Sequence, residues 1–168
     1  MPERDTPPVF AFVGDSGSGK TTFLVELVRE LRKRGARVAV MKNTHKEVET
    51  DIEGKDSRKM KDAGAEVVVL NSPTRLVVNR VASQRASALE LAGQLAGRVD
   101  IVLVEGLGED SGRLPVIEVA KDGPSERFAR EKRIAIISAR NLDGFQCFNF
   151  DEAARVAEFL LERAGHFP

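Results

Sequence analysis

A glycine-rich segment near the start of the chain, Gly14–Thr21 (GDSGSGKT), fits the pattern G-x-x-x-x-G-K-[ST] in full. It follows a short apolar run, Val9–Val13 (VFAFV), and precedes a stretch in which Leu and Val recur at spacings of three and four, from Leu24 to Leu31. The first pattern predicts a strand buried on both faces, and the second predicts an amphipathic helix. A glycine-rich turn between a strand and a helix is the context in which this segment binds phosphate groups.

Each part of this segment has a physical task in phosphate binding. The glycines allow a tight turn that points backbone N–H groups at phosphate oxygens. Lys20 supplies a positive charge to the β- and γ-phosphates and is a candidate catalytic residue, while the Thr21 hydroxyl is a candidate ligand for Mg²⁺. We therefore predict that the chain binds a nucleoside triphosphate with magnesium. The predicted binding residues are Gly14, Asp15, Ser16, Gly17, Ser18, Gly19, Lys20, Thr21 and Thr22.

A second apolar run, Ile101–Val104, ends in the acidic residue Glu105 and has the Walker B form. The acid of that form holds magnesium or a magnesium-bound water. Sites of this kind form at the carboxyl ends of strands, so we assign the metal and catalytic role to Glu105. Asp100 precedes the strand and is interpreted as a solvated residue at its boundary.

Three further polar residues are candidates for the same site. His45 ends the segment Lys42–His45, which follows the predicted strand Val38–Met41. It could bind the nucleotide or act as a base, or it could be a solvated loop residue. In the polar stretch that follows, Asp51 could orient water as a catalytic residue and Asp56 could complete the magnesium shell. Asp143 could accept hydrogen bonds from a guanine edge, although its surroundings also suit an ordinary turn. These residues do not choose between GTP and ATP.

The remaining pattern predicts an α/β sandwich of the P-loop NTPase type in one domain, 1–168, with residues 1–8 flexible. The sheet is expected to be mostly parallel, because strands alternate with helices, and to carry an added antiparallel hairpin. Strands are predicted at Val9–Val13, Val38–Met41, Glu66–Leu70, Arg75–Arg80, Ile101–Val104, Val116–Val119 and Ile134–Ile137. Helices are predicted from Lys20 to Gly35, at about Asp56–Asp62, at Ser87–Leu95, and after Asp151 as an N-terminal cap.

The composition limits the partners and the compartment. The chain has 26 basic and 26 acidic side chains, a balance that argues against a general nucleic-acid or membrane-binding surface. A single cysteine, Cys147, cannot form an internal disulfide, which favours a reducing compartment, and we interpret it as a small, buried or half-buried apolar side chain. We find no signal sequence and no apolar stretch of about 20 residues, so we expect a soluble cytoplasmic protein.

Several short motifs resemble one known family. After the phosphate loop come Lys42–His45 (KNTH), Gly54–Ser57 (GKDS), Ala63–Ala65 (AGA) and Leu103–Gly106 (LVEG). In this order they resemble the molybdopterin-guanine dinucleotide biosynthesis protein B (MobB) family, over nearly the whole chain. The resemblance implies a GTP-binding protein with weak GTPase activity, which forms a homodimer partly through β-strands. It also implies an accessory role beside a MobA-type guanylyltransferase, which joins GMP to molybdopterin.

Two other functions remain open from the residues. A small-molecule kinase would close an arginine-rich lid over the phosphates, and Arg127, Arg130 and Arg133 could form one, or they could be a solvated basic segment. A pure interaction protein with a structural nucleotide is also consistent with the sequence. The predicted hairpin is apolar on both faces, so we expect two copies of the chain to meet there.

Overall fold

The structure is a computed structural model that describes residues 6–46, 48, 56–110, 112–121, 123–128 and 132–165. The chain forms two compact units. The first, here called the phosphate-loop unit, comprises Met1–Thr44 and Ala86–Pro168, and the second, the hairpin unit, comprises His45–Arg85. The prediction of a single domain stays a prediction.

The phosphate-loop unit is built on a six-stranded sheet in which every neighbouring pair is parallel. The strand order is β2-β5-β1-β6-β7-β8. The strands are β1 (Val9–Val13), β2 (Val38–Lys42), β5 (Ile101–Glu105), β6 (Val116–Val119), β7 (Arg133–Ile137) and β8 (Cys147–Phe148). This confirms the predicted α/β fold with a mostly parallel sheet. It also shows that β5 lies between β1 and β2, so the first two strands are parallel but not neighbours.

Helices cover both faces of this sheet because successive strand residues point to opposite sides. Phe10 and Phe12 of β1 pack with helices α1 (Lys20–Lys33) and α4 (Ala153–Arg163). Val9, Ala11 and Val13 of the same strand pack on the other side, where helix α3 (Ala88–Gln94) contributes Ala88 and Ala92. Burial on both faces explains why the strands at the centre of the sheet are continuous apolar runs.

The hairpin unit contains helix α2 (Asp56–Asp62) and an antiparallel pair, β3 (Val67–Asn71) and β4 (Leu76–Arg80). The predicted hairpin is therefore confirmed, with both strands starting one residue later than expected. Of the residues in β3 and β4, Val68 alone is buried. One face of the pair carries Val67, Val69, Leu76 and Val78 together with Asn71 and Arg80, and its four apolar side chains are 47% to 64% exposed.

Some predicted details are wrong. Asp151 does not cap α4: the cap position is Glu152, which makes no side-chain cap, because its carboxylate instead accepts the Asn149 N–H at 2.7 Å. Arg133 is not part of a solvated segment, since it begins β7 and its side chain is 4% exposed. The short strand β8 and a 3-10 turn at Gly108–Asp110 escaped prediction, because elements of two or three residues show no period.

The longest described helix, α1, has 14 residues. Within the part of the chain that the structure describes, no helix is long and apolar enough to cross a membrane.

Candidate nucleotide site

The glycine-rich segment connects β1 to α1 in the backbone conformation that the motif predicts. Gly14, Gly17 and Gly19 have φ values of +143°, +74° and +95°, a region that other residues rarely adopt. At Gly14 the packing also requires glycine, because a Cβ there would lie 2.3 Å from the Val119 carbonyl oxygen. Gly19 precedes the helix with no side-chain cap, so the first N–H groups of α1 remain directed at the loop.

The Lys20 side chain lies across this loop. Its ammonium group donates to the carbonyl oxygens of Gly14 at 2.8 Å and Asp15 at 2.7 Å, and it lies 3.3 Å from Ser18 Oγ. The charge is thus held at the mouth of the turn, where phosphate oxygens would meet the backbone N–H groups. A point charge at this place suits a polyphosphate.

Thr21 and Glu105 are 84 positions apart in the chain but meet at the carboxyl edge of the sheet. The Thr21 hydroxyl donates to Glu105 Oε1 at 3.0 Å. The other oxygen of the carboxylate, Oε2, lies 3.4 Å from the Lys42 ammonium, and the Glu105 side chain is 15% exposed. Because β1 and β5 are parallel neighbours, the start of α1 and the end of β5 come to the same edge.

These two oxygens have the chemistry and the spacing that a magnesium site would need. Two adjacent ligands of an octahedral Mg²⁺ with bonds of about 2.05 Å lie roughly 2.9 Å apart, close to the observed separation. The described residues hold no cluster of three or more His, Cys, Asp or Glu that could bind a metal on their own. Thr21 and Glu105 would therefore hold the ion, directly or through water, together with phosphate oxygens. The ion would supply charge neutralisation at those oxygens.

Beside this site, Asn43, directly after β2, is hydrogen-bonded to the end of β5. Asn43 donates from its backbone N–H to the Glu105 carbonyl at 3.0 Å, and from Nδ2 to the Gly106 carbonyl at 3.0 Å. A Cβ at Gly108 would lie 2.8 Å from Asn43 Nδ2, so the chain after β5 needs glycine to pass this side chain. The sequence marked Asn43 as part of a motif but did not reveal this supporting role.

A cleft lies between residues Asp15–Ser18 of the phosphate loop and residues Glu118–Lys121 at the end of β6. Gly123 also lines it. Its volume is about 180 Å³, several times the roughly 30 Å³ that one water takes in the liquid. Below it lies a buried ion pair, in which Arg133 Nε and Glu118 Oε2 are 2.7 Å apart and the side chains are 4% and 2% exposed. The two groups attract each other as opposite charges, but the geometry at these two atoms is not that of a hydrogen bond. An acid inside an apolar strand was the one sequence signal for this pair.

A third group of residues adjoins the loop next to Gly19, where a Cβ would meet the Phe150 ring at 3.5 Å. Asn149, which precedes Phe150 in the chain, lines a polar pocket together with Ser138–Asn141, Cys147, Phe148 and Glu152. The Asn149 N–H and the Arg155 guanidinium lower the pKa of the Glu152 carboxyl below its ordinary value, so it is ionised at neutral pH. Asp143 is exposed and does not line this pocket, whereas the half-buried Cys147 does.

The other predicted residues are placed as follows. Thr22 is exposed in the first turn of α1. His45 and Asp56 belong to the hairpin unit and are exposed, with Asp56 lying 3.5 Å from Lys59, and their predicted roles remain predictions. Asp51 and Arg130 lie outside the described residues. Asp100 sits at the amino end of β5 in an ion pair with Arg37 at 2.6 Å, away from the loop.

The parallel sheet and the phosphate loop define an α/β protein of the P-loop sandwich class. The family model for molybdopterin guanine dinucleotide synthesis protein B (MobB) matches residues 9–139. The chain therefore belongs to the MobB family.

Individual relatives agree. The molybdopterin-guanine dinucleotide biosynthesis adapter protein of Escherichia coli K12 is 30% identical over 164 residues, covering 92% of each chain. The adapter protein of Haemophilus influenzae is 40% identical over 104 residues, which are 61% of this chain and 58% of that relative. A crystal structure of molybdopterin-guanine biosynthesis protein B is 30% identical with a TM-score of 0.71, and the match covers 92% of this chain and 99% of that one.

Proposed function

We propose that this chain is a GTP-binding adapter in the synthesis of molybdopterin guanine dinucleotide, with weak GTPase activity. The observation that carries the nucleotide part is the convergence of Lys20, Thr21 and Glu105 at one sheet edge beside the glycine turn. A charge for phosphate and two oxygen ligands for Mg²⁺ are the parts that a phosphoryl site needs. The adapter part is supported by the relatives, both of which carry that description. A guanylyltransferase that joins GMP to molybdopterin is the expected partner.

The preference for GTP is supported by the polar pocket that Asn149 and Glu152 line. Guanine presents two neighbouring N–H donors, and a carboxylate can accept both. Glu152 lines this pocket, where one of its carboxylate oxygens accepts the Asn149 N–H and the other pairs with Arg155. Each oxygen keeps a second lone pair that can accept from guanine, so we assign the guanine contact to Glu152 in place of Asp143. Replacing Glu152 with Gln should reduce the preference for GTP over ATP about tenfold and leave ATP affinity unchanged, which competition between the two nucleotides would measure. An unchanged preference would place the base elsewhere.

The homodimer is supported by the exposed face of the hairpin unit. Four apolar side chains in two neighbouring strands stay about half exposed, and a two-stranded sheet has open edges that can pair with another chain. A second copy related by a two-fold axis would cover the same face on both chains.

The nucleotide proposal is tested by isothermal titration of the full chain with GTP, with and without Mg²⁺. Glu105→Gln should keep much of the GTP affinity in the absence of Mg²⁺ but lose the gain that Mg²⁺ provides and most of the hydrolysis. Asp100→Asn is the matched control, since it changes an acid at the opposite end of the same strand and should behave as wild type. Hydrolysis that persists in Glu105→Gln would shift the metal role to Asp51 or Asp56.

The adapter role is tested by measuring GTP hydrolysis alone and with a guanylyltransferase loaded with molybdopterin. A rate or an affinity that changes with the loaded partner supports an adapter. A wild-type chain that binds no GTP at micromolar concentrations would refute the nucleotide part of the proposal.

A further inference from the structure

Two cations converge on one residue of the phosphate loop. Lys20 donates to the Asp15 carbonyl oxygen at 2.7 Å, and the Arg127 guanidinium lies 3.2 Å from the Asp15 carboxylate. Both side chains of the Arg127–Asp15 pair are about three-quarters exposed. Exposed pairs of this kind hold together weakly, so Asp15 can release Arg127 when a stronger anion is near.

Arg127 reaches Asp15 from a segment that is anchored to the buried ion pair. Glu118 Oε1 accepts the Ser125 N–H at 2.7 Å. Arg133 Nη2 donates to the carbonyl oxygens of Ser125 at 2.8 Å and Phe128 at 3.2 Å. The backbone is therefore held on both sides of Arg127. The guanidinium lies over the Phe128 ring, 5.9 Å from its centre, but the side chain is exposed and can exchange Asp15 for another anion.

This anchoring explains why two charges are buried in strands β6 and β7, whose other residues are apolar. Burying an ion pair costs desolvation energy, which backbone hydrogen bonds from both partners help to offset. Here those hydrogen bonds go to the short segment that presents Arg127. The pair thus determines where this segment lies above the cleft beside the phosphate loop.

From this arrangement we propose that Arg127 is a specificity-determining residue that binds the terminal phosphate of a nucleoside triphosphate, with Asp15 as its resting partner. The inference rests on the proposed nucleotide function and deepens it. A triphosphate carries several negative charges and offers oxygen pairs that match the planar guanidinium, so it outcompetes one exposed carboxylate. Because Lys20 and Arg127 already share Asp15, the two cations would hold neighbouring oxygens of the same phosphate chain.

The test is a titration of the full chain with GTP and with GDP, each with Mg²⁺. Arg127→Ala should weaken GTP binding about tenfold, the factor expected for one charge-assisted hydrogen bond, and weaken GDP binding less than about twofold. Arg127→Lys should recover part of the lost GTP affinity. Arg37→Ala is the matched control, because it removes another ion-paired arginine that lies just before β2, at the amino ends of the strands and away from the phosphate loop.

A double-mutant cycle separates the resting partner from simple charge repulsion. Asp15→Asn should strengthen GTP binding by several-fold in the wild-type background, because Arg127 is released and a nearby negative charge is lost. In the Arg127→Ala background the same change should give a clearly smaller gain. Equal gains in both backgrounds would mean that Asp15 does not hold Arg127, and would overturn that part of the inference.

The remaining outcomes are also decisive. If Arg127→Ala binds GTP as wild type does, or weakens GTP and GDP equally, Arg127 does not bind the terminal phosphate, while the proposed function stands. If wild type binds neither nucleotide, the proposed function fails and the inference fails with it. Circular dichroism of each variant verifies that the fold is kept.

Discussion

The two units of this protein use similar apolar residues in opposite ways. In the phosphate-loop unit, β1 (VFAFV) is buried at every position and its neighbour β5 at all but the last. In the hairpin unit, β3 (VVVLN) is of comparable apolar character, yet Val68 is the one buried residue in the strand. A run of valines therefore shows that a strand forms, but not what covers it. In one unit the covering helices belong to the same unit, and in the other much of the apolar surface stays exposed.

The contrast indicates that the two units have different roles, ligand binding in one and contact with another chain in the other. A buried sheet gives a rigid edge on which phosphate and metal ligands can be held at fixed distances. An exposed apolar hairpin instead provides a surface that another chain can cover. Each of the following predictions tests one side of this contrast.

The largest effect is expected for a core substitution. Leu27→Ala, at a side chain of α1 that is fully buried, should lower the free energy of unfolding by about 2–5 kcal/mol, since it leaves a cavity. Val78→Ala, at a side chain 57% exposed, should change it by less than about 0.5 kcal/mol in a dilute monomer. Urea unfolding of both variants measures the difference. Similar losses in both would mean that the hairpin is covered by the chain itself.

A smaller free-energy change is expected at the phosphate loop. Lys20→Ala should weaken GTP binding by about a hundredfold, because it removes charge-assisted hydrogen bonds to the phosphates. The oligomeric state and the thermal unfolding temperature should not change, since Lys20 is outside the core. Titration calorimetry and sedimentation velocity measure these two properties. Unchanged GTP affinity would refute the role of the loop.

In the hairpin we expect the opposite pattern, in which a substitution changes the oligomeric state and leaves GTP affinity unchanged. Val69 and Val78 are directly opposite each other on the exposed face, so Val69→Lys with Val78→Lys should place two like charges there and convert a dimer to monomers. GTP affinity should be unaffected. Met60→Lys is the control, because it changes an exposed apolar residue of α2 in the same unit. Val68 is unsuitable for such a change, since it is buried and a lysine there would disturb the unit itself.

In that experiment, a wild-type chain that sediments as a monomer would refute the dimer. A double variant that remains fully dimeric would place the interface on another surface.

The smallest effect concerns one helix cap in the phosphate-loop unit. The Ser87 N–H, then its hydroxyl, lower the pKa of Glu90 below its ordinary value of 4.5. The charge therefore contributes stability above pH 4.5, and this contribution is lost as the pH falls through the lowered pKa. Glu90→Gln keeps an acceptor oxygen, so it should be slightly less stable at neutral pH and equal to wild type in acid. Thermal unfolding at several pH values tests this, and a difference that grows in acid would contradict it.

The short-range features of this protein could be read from its sequence. The glycine turn, the lysine and threonine after it, and the acid at the end of β5 follow rules that act within a few residues. The hairpin also followed from two β-branched runs around Asn71–Thr74. The prediction that Asp151 caps α4 is wrong, because the helix begins one residue later than that cap requires. Glu152 is the residue before the helix, and its carboxylate accepts the Asn149 N–H and makes no hydrogen bond to the backbone of the first turn.

The contacts between distant residues depended on the tertiary structure. Thr21 meets Glu105 only because β5 lies beside β1, and the sequence does not state the strand order. Glu118 and Arg133 pair because β6 and β7 are neighbours whose side chains share one buried space. That pair in turn positions Arg127 at Asp15, 112 positions away in the chain. Local residue patterns determine which chemical groups are present, whereas sheet order and burial decide which of them meet, because those depend on packing across the whole unit.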